Sequence, residues 1–141
     1  MLHVATLGFF LASALVAAQT PRAAALAVDR ALGDTSSVSF YFVSRTEDYD
    51  FNEEQMKFEA SIYVTRKCGA GCAYFMRPVL AHLRASKPVK CLAGQQDVLI
   101  TFGTERITYS YSGRMVRYRG QCYYNQVGIG DVLEHDAFFF H

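Results

Sequence analysis

The chain is 141 residues long, carries 14 Lys and Arg against 13 Asp and Glu for a formal net charge of +1, and is 51% hydrophobic. That apolar content excludes a wholly disordered chain, and the near-neutral balance excludes a strongly basic nucleic-acid binder or an acidic solvating protein.

Residues 4–16 are almost wholly apolar and run into Val16-Ala17-Ala18 ahead of Gln19, the layout of a secretory signal peptide over residues 1–18. Its start, Met1-Leu2-His3, has no Lys or Arg, and the apolar run is shorter than the roughly 20 residues a spanning helix needs. No later stretch reads as a membrane span or a lipid-anchor signal, so a soluble, secreted, extracellular protein is expected. Residues 19–33, QTPRAAALAVDRALG, hold Arg22 and Arg30. They read as a frayed, in part helical arm, or else as a leader trimmed after an arginine. Residues 34–141 then make one disulfide-bonded domain with a modest core.

Residues 37–44 alternate Val38, Phe40 and Phe42 against Ser37, Ser39 and Tyr41, which predicts a strand with one buried face. The acidic stretch 46–55 follows as a loop. The cleanest alternation in the chain comes next, with Phe58, Ala60, Ile62 and Val64 inside and Lys57, Glu59, Ser61, Tyr63 and Thr65 outside. Residues 68–72 must turn, since Gly69 and Gly71 tolerate positive φ. Pro78 suits a first helical position, and Val79, Leu80 and Leu83 give a short apolar stripe to Ser86 before Pro88 ends the helix.

Residues 97–102 are apolar on both faces, as in an interior strand. Residues 106–124 read as a hairpin folded about Ser112-Gly113. Ile107, Tyr109 and Tyr111 share a face in the first arm, and Val116, Tyr118 and Cys122 in the second. The opposite face of the second arm carries Arg117, Arg119 and Gln121. Residues 127–130 read as flexible and 132–140 as a last strand whose Phe138, Phe139 and Phe140 enter the core. The sum is a mainly β fold, a compact antiparallel β-sandwich with one short helix; the alternative is α+β, one helix packed on an antiparallel sheet.

Charge is segregated: Glu47, Asp48, Asp50, Glu53, Glu54 and Glu59 face only Lys57 in their stretch, while Arg66, Lys67, Arg77, Arg84, Lys87 and Lys90 follow without an acid. Solvated faces account for this, with a steering dipole as the secondary reading. Cys68, Cys72, Cys91 and Cys122 imply two disulfides in a secreted chain. Three pairings are open. The preferred one joins Cys72 to Cys91, stapling the segment between them, and Cys68 to Cys122, tying the middle of the chain to the hairpin. The CxxxC spacing without a second pair disfavours a metal site, and no cofactor is expected.

Candidate chemistry is sparse. His82 reads as a surface residue of the short helix, and Glu134-His135-Asp136 alternates its side chains across a strand instead of converging them. There is no G-x-S-x-G. Arg114, Arg117 and Arg119 interleave with Tyr118, Tyr123 and Tyr124, a pattern that could hold nucleic acid but without the net positive charge such binding draws on. Arginine and tyrosine are also enriched at protein-binding hot spots, and Arg114, Arg117, Arg119 and Tyr123 are the partner-binding candidates.

The Ala17-Ala18 cleavage region, the leader with Arg22 and Arg30, and Gly120-Gln121-Cys122-Tyr123-Tyr124 followed by an aromatic terminus together resemble a small secreted fungal effector. More narrowly, the layout is similar to the secreted-in-xylem effectors of Fusarium that share the ToxA-like β-sandwich. It differs from ToxA in having four cysteines, no Arg-Gly-Asp and an added helix-like segment. The resemblance implies a virulence protein delivered into plant tissue, binding a host plant protein or a companion effector and open to recognition by an immune receptor. The competing expectation is a secreted ribonuclease of the small fungal guanyl-specific type. Its chemistry would fall to Glu105 as base, Arg117 or Arg119 as phosphate clamp and His135 as acid.

Overall fold

Thr20-Pro21 opens the first helix. In the computed structural model, which describes residues 19–43, 53–60, 62–94 and 96–134, α1 spans Pro21–Gly33. Thr20 Oγ1 accepts from the Ala23 N–H at 3.1 Å, and Pro21 takes a first-turn position where no N–H is missed. Ala24, Ala25, Val28 and Leu32 fall on one face and are fully buried. The helical part of the expectation for residues 19–33 holds, and the frayed arm is corrected, because the buried face of α1 is a wall of the core. Residues 1–18 lie outside the described residues.

Seven strands form one antiparallel sheet in the order β2-β1-β4-β5-β6-β7-β3. They are β1 (Ser37–Phe42), β2 (Ile62–Lys67), β3 (Lys87–Val89), β4 (Gln96–Phe102), β5 (Glu105–Ser110), β6 (Met115–Tyr118) and β7 (Gln121–Tyr124). The mainly β, antiparallel expectation is borne out, and helices supply the layer packed against the sheet. Besides α1 these are α2 (Glu53–Glu59), α3 (Cys72–Phe75), α4 (Arg77–Arg84) and α5 (Ile129–Glu134).

One sheet face meets α1, α3, α4 and α5. There Val38 and Phe40 of β1, Val98, Ile100 and Phe102 of β4, Ile107 and Tyr109 of β5 and Val116 and Tyr118 of β6 join the helical apolar stripes in the main core. On the other face α2 lays Met56 against Val43, Leu99 and Tyr41, a second and smaller cluster. Leu99 and its neighbours Val98 and Ile100 point to opposite faces, which explains why 97–102 is apolar on both. The predicted helix is α4, shifted to start one residue earlier and end two earlier than 78–86.

The expected strand through 57–65 is corrected at its first half. Glu53–Glu59 is helical, with Glu53 and Glu54 in the first turn and Lys57 in the last, and only Ile62–Lys67 pairs with β1. As an edge strand β2 leaves Ile62 50% and Tyr63 58% exposed, so its alternation does not mark burial. Tyr63 stacks on Tyr41 with ring centroids 4.8 Å apart. At the C-terminal end, 129–134 is a helix where flexible chain and a strand were expected. The remainder of that expected strand, with Phe138 to Phe140, lies outside the described residues.

His82 is also corrected, from surface to core: it is 4% exposed, on the buried side of α4. Its Nε2 lies 2.6 Å from the Val127 carbonyl oxygen and its ring meets Tyr109 edge-on.

Both disulfides form, with pairings other than those preferred: Cys68 with Cys72 and Cys91 with Cys122, at Cα separations of 4.8 and 5.2 Å. The sheet separates the two pairs. Cys72 is buried in α3 and Cys68 packs against the main core, whereas Cys122 stands opposite Arg117 on the other face and opposite Val89 of β3, which brings Cys91 to it.

Candidate partner-binding surface

The side each hairpin residue takes is decided by the turn between β6 and β7. Arg119 (φ 50) and Gly120 (φ 76) both have positive φ and Tyr118 pairs with Gln121, a two-residue connection of the type that matches strand twist. Two loop residues put an odd step between paired positions, so parity inverts across the turn. Val116 pairs with Tyr123 on the core side, and Arg117 pairs with Cys122 outside.

Tyr123 is thus corrected from partner contact to core residue. It is 1% exposed, and its hydroxyl donates to the Gln19 carbonyl at 2.8 Å and to Gln121 Oε1 at 3.1 Å. Gln121 Oε1 also accepts from the Gln19 N–H at 2.6 Å, so β7 holds the start of α1. The neighbouring Tyr124, at 38% exposure, faces outward in its place.

Outside, β5 and β6 present an open depression of about 420 Å³ lined by Glu53, Thr104, Glu105, Arg106, Thr108, Arg117, Arg119 and Gly120. Two of its arginines are committed. Arg106 Nε bonds Glu53 Oε1 at 2.8 Å, which ties α2 to the sheet. The Arg119 guanidinium grips the Glu105 carboxylate, Nε donating at 3.2 Å to Oε1 and the terminal Nη2 donating to the same oxygen. Donation from Arg119 holds the Glu105 carboxyl below its ordinary value and raises Arg119 in turn. Arg119 also lies over the Tyr118 ring at 5.1 Å, and burial with the Glu105 charge pushes the Tyr118 phenol up to about 12. Arg117, exposed in the same depression and opposite Thr108 in register, makes no hydrogen bond or ion pair among the described residues.

Arg114 does not share this depression. It borders a separate hollow of about 240 Å³ formed by Val89, Lys90, Leu92, Tyr111, Met115 and Tyr124. The structure therefore brings Arg117 and Arg119 together and sets Arg114 apart. Of the residues named for ribonuclease chemistry, Glu105, Arg117 and Arg119 meet in the first depression, and His135 lies outside the described residues. Sequence reasoning missed Arg106, Thr108, Leu92 and Tyr111, although the alternation of β5 already put Arg106 and Thr108 on the outward side.

Fold and surface define a two-disulfide, antiparallel-sheet domain with helices packed on the sheet and a polar arginine depression outside. Comparison of the chain with protein-family models, curated proteins and solved structures finds no significant match in any of the three.

Proposed function

We propose that this chain is a secreted virulence effector that acts by binding a host plant protein or a companion effector through the arginine depression. The observation that carries this reading is Arg117, a guanidinium with no partner among the described residues, in one depression with two arginines already locked to carboxylates. A partner carboxylate reaching Arg117 gains a charge-assisted, bidentate contact without breaking an existing pair. Two disulfides fit an extracellular protein, and among the described residues no helix is long and apolar enough to cross a membrane.

Arg117→Ala with Arg119→Ala, followed by pull-down from host tissue, tests the reading. Because Arg117 is exposed and makes no hydrogen bond or ion pair among the described residues, its substitution should change stability by less than about 0.5 kcal/mol, and lost capture reports the contact itself. Capture unchanged in both variants would sink this face.

The meeting of Glu105 with Arg117 and Arg119 favours one second reading, a ribonuclease in which Glu105 takes the proton and an arginine steadies the phosphate. Cleavage of RNA by the purified protein, abolished by Glu105→Gln and by His135→Ala, would select it. An inert wild-type protein would remove it.

A further inference from the structure

Nine large apolar residues stand exposed among those described, and four of them, Val89, Leu92, Tyr111 and Tyr124, meet around the second hollow. Such clustering distinguishes a contact surface from the ordinary scatter of exposed apolar side chains.

The hollow is also built rigidly. Tyr111 sits at φ 53, a left-handed conformation that a bulky side chain adopts only under constraint. The constraint is visible in the 91–94 segment. The Tyr111 hydroxyl donates to the Ala93 carbonyl at 2.6 Å, and its ring covers Gly94 so closely that a Cβ there would lie 2.9 Å from it. Cys91 then fixes the same segment to Cys122 in the sheet. An aromatic wall held in this way loses little freedom when a partner arrives.

Its border is cationic. Lys90 and Arg114 line the hollow, Lys87 pairs in register with Tyr124 beside it, and among the described residues no Asp or Glu lines it. A second copy of the chain would set these cations against themselves across a two-fold axis. Strand addition is disfavoured as well, because Pro88 blunts β3, the edge strand here.

We propose that this hollow is a docking site for a protein segment carrying one bulky apolar anchor flanked by acidic residues. The inference rests on the reading that the chain works by binding protein, and adds a site distinct from the arginine depression. The anchor fills the space between Leu92, Met115 and Tyr124, while its acidic neighbours reach Lys90 and Arg114.

The test is selection from a phage-displayed library of random peptides on the oxidised protein, with enriched peptides then measured by fluorescence anisotropy. The expected result is peptides that combine Leu, Ile, Phe or Trp with adjacent Asp or Glu. Their affinity should fall roughly tenfold or more in Leu92→Asp and in Lys90→Glu with Arg114→Glu, and stay level in Arg117→Ala. Leu92 is 57% exposed, so the fold should survive its substitution, and circular dichroism checks this. The charge-reversal variant gives the same answer without touching the apolar centre.

No enrichment, enriched peptides lacking either element, or peptides that bind Leu92→Asp as well as wild type would overturn the proposal. So would sedimentation with phosphatidylserine vesicles, or self-association, that Leu92→Asp abolishes, since either gives the hollow a different occupant. An Arg117-sensitive pull-down alongside a failed selection would overturn this site and leave the arginine depression standing.

Discussion

Leu32→Ala offers a direct measure of whether α1 belongs to the folded core. Leu32 is 1% exposed on the face of α1 turned to the main core. Its truncation removes three carbons at about 0.8 kcal/mol each, or about 2.4 kcal/mol of transfer free energy. The hollow left behind raises the total to about 3–5 kcal/mol, because helix and sheet close over it only in part. For a domain of this size that corresponds to a fall in Tm of roughly 10–20 °C. Leu26 lies on the same helix but is 49% exposed, so Leu26→Ala should cost less than about 1 kcal/mol. Thermal unfolding followed by far-ultraviolet circular dichroism separates the two. Equal shifts for both variants would refute a core role for α1, and so would a protein cut after Arg30 that melts no lower than the intact chain.

Burial holds the His82 imidazole below its ordinary value of 6.5, so the folded chain keeps it neutral while the unfolded chain takes up a proton. Stability should be full above about pH 6.5 and decline as pH falls toward the lowered folded value; urea titrations at pH 5 and 7.5 should show this, and His82→Gln should flatten it. Cys91–Cys122 spans 31 residues and Cys68–Cys72 spans 4, so in a chain-entropy picture their removal costs about 3–4 and about 2 kcal/mol respectively. Paired Cys→Ala variants compared by urea unfolding would reverse this ranking if strain or residual structure dominates. Arg119→Gln should let the Glu105 carboxyl rise toward its ordinary value of 4.5, read by carbon-detected NMR titration; an unmoved Glu105 would mean another group holds it down.

The interior of the sheet was legible because its periodicities are local. β1, β4 and β5 have the two-residue pattern, or the doubly apolar run, that burial on one or both faces requires. α1 carried its own signals, Thr20 as cap, Pro21 in the first turn and Gly33 at the end, but its place beside the expected signal-peptide boundary drew it out of the domain. Residues 53–65 misled because α2 and β2 abut, and the apolar positions of a short helix and an edge strand join into one false alternation. The assignment of Tyr123 failed on a single step of parity: Arg119-Gly120 is a two-residue turn, and reading 115–124 as one strand carries every later side chain to the wrong face. The disulfide pairing failed because it was chosen to staple and tie distant segments, whereas the sheet puts Cys68 and Cys72 on one side and Cys91 and Cys122 on the other. Where Arg117 and Arg119 would meet Glu105 depended on strand register, which no local pattern encodes.

The bonds from Gln121 and Tyr123 back to Gln19 join positions more than a hundred residues apart. α1 leaves the ribosome well before β7, so these bonds close only after β7 has been made. Thirteen residues make α1 marginal on its own, and its packing in the main core with these bonds to β7 supplies what the helix lacks alone. Loosening β7 therefore frees the start of α1, so the helix and the strand lose stability together.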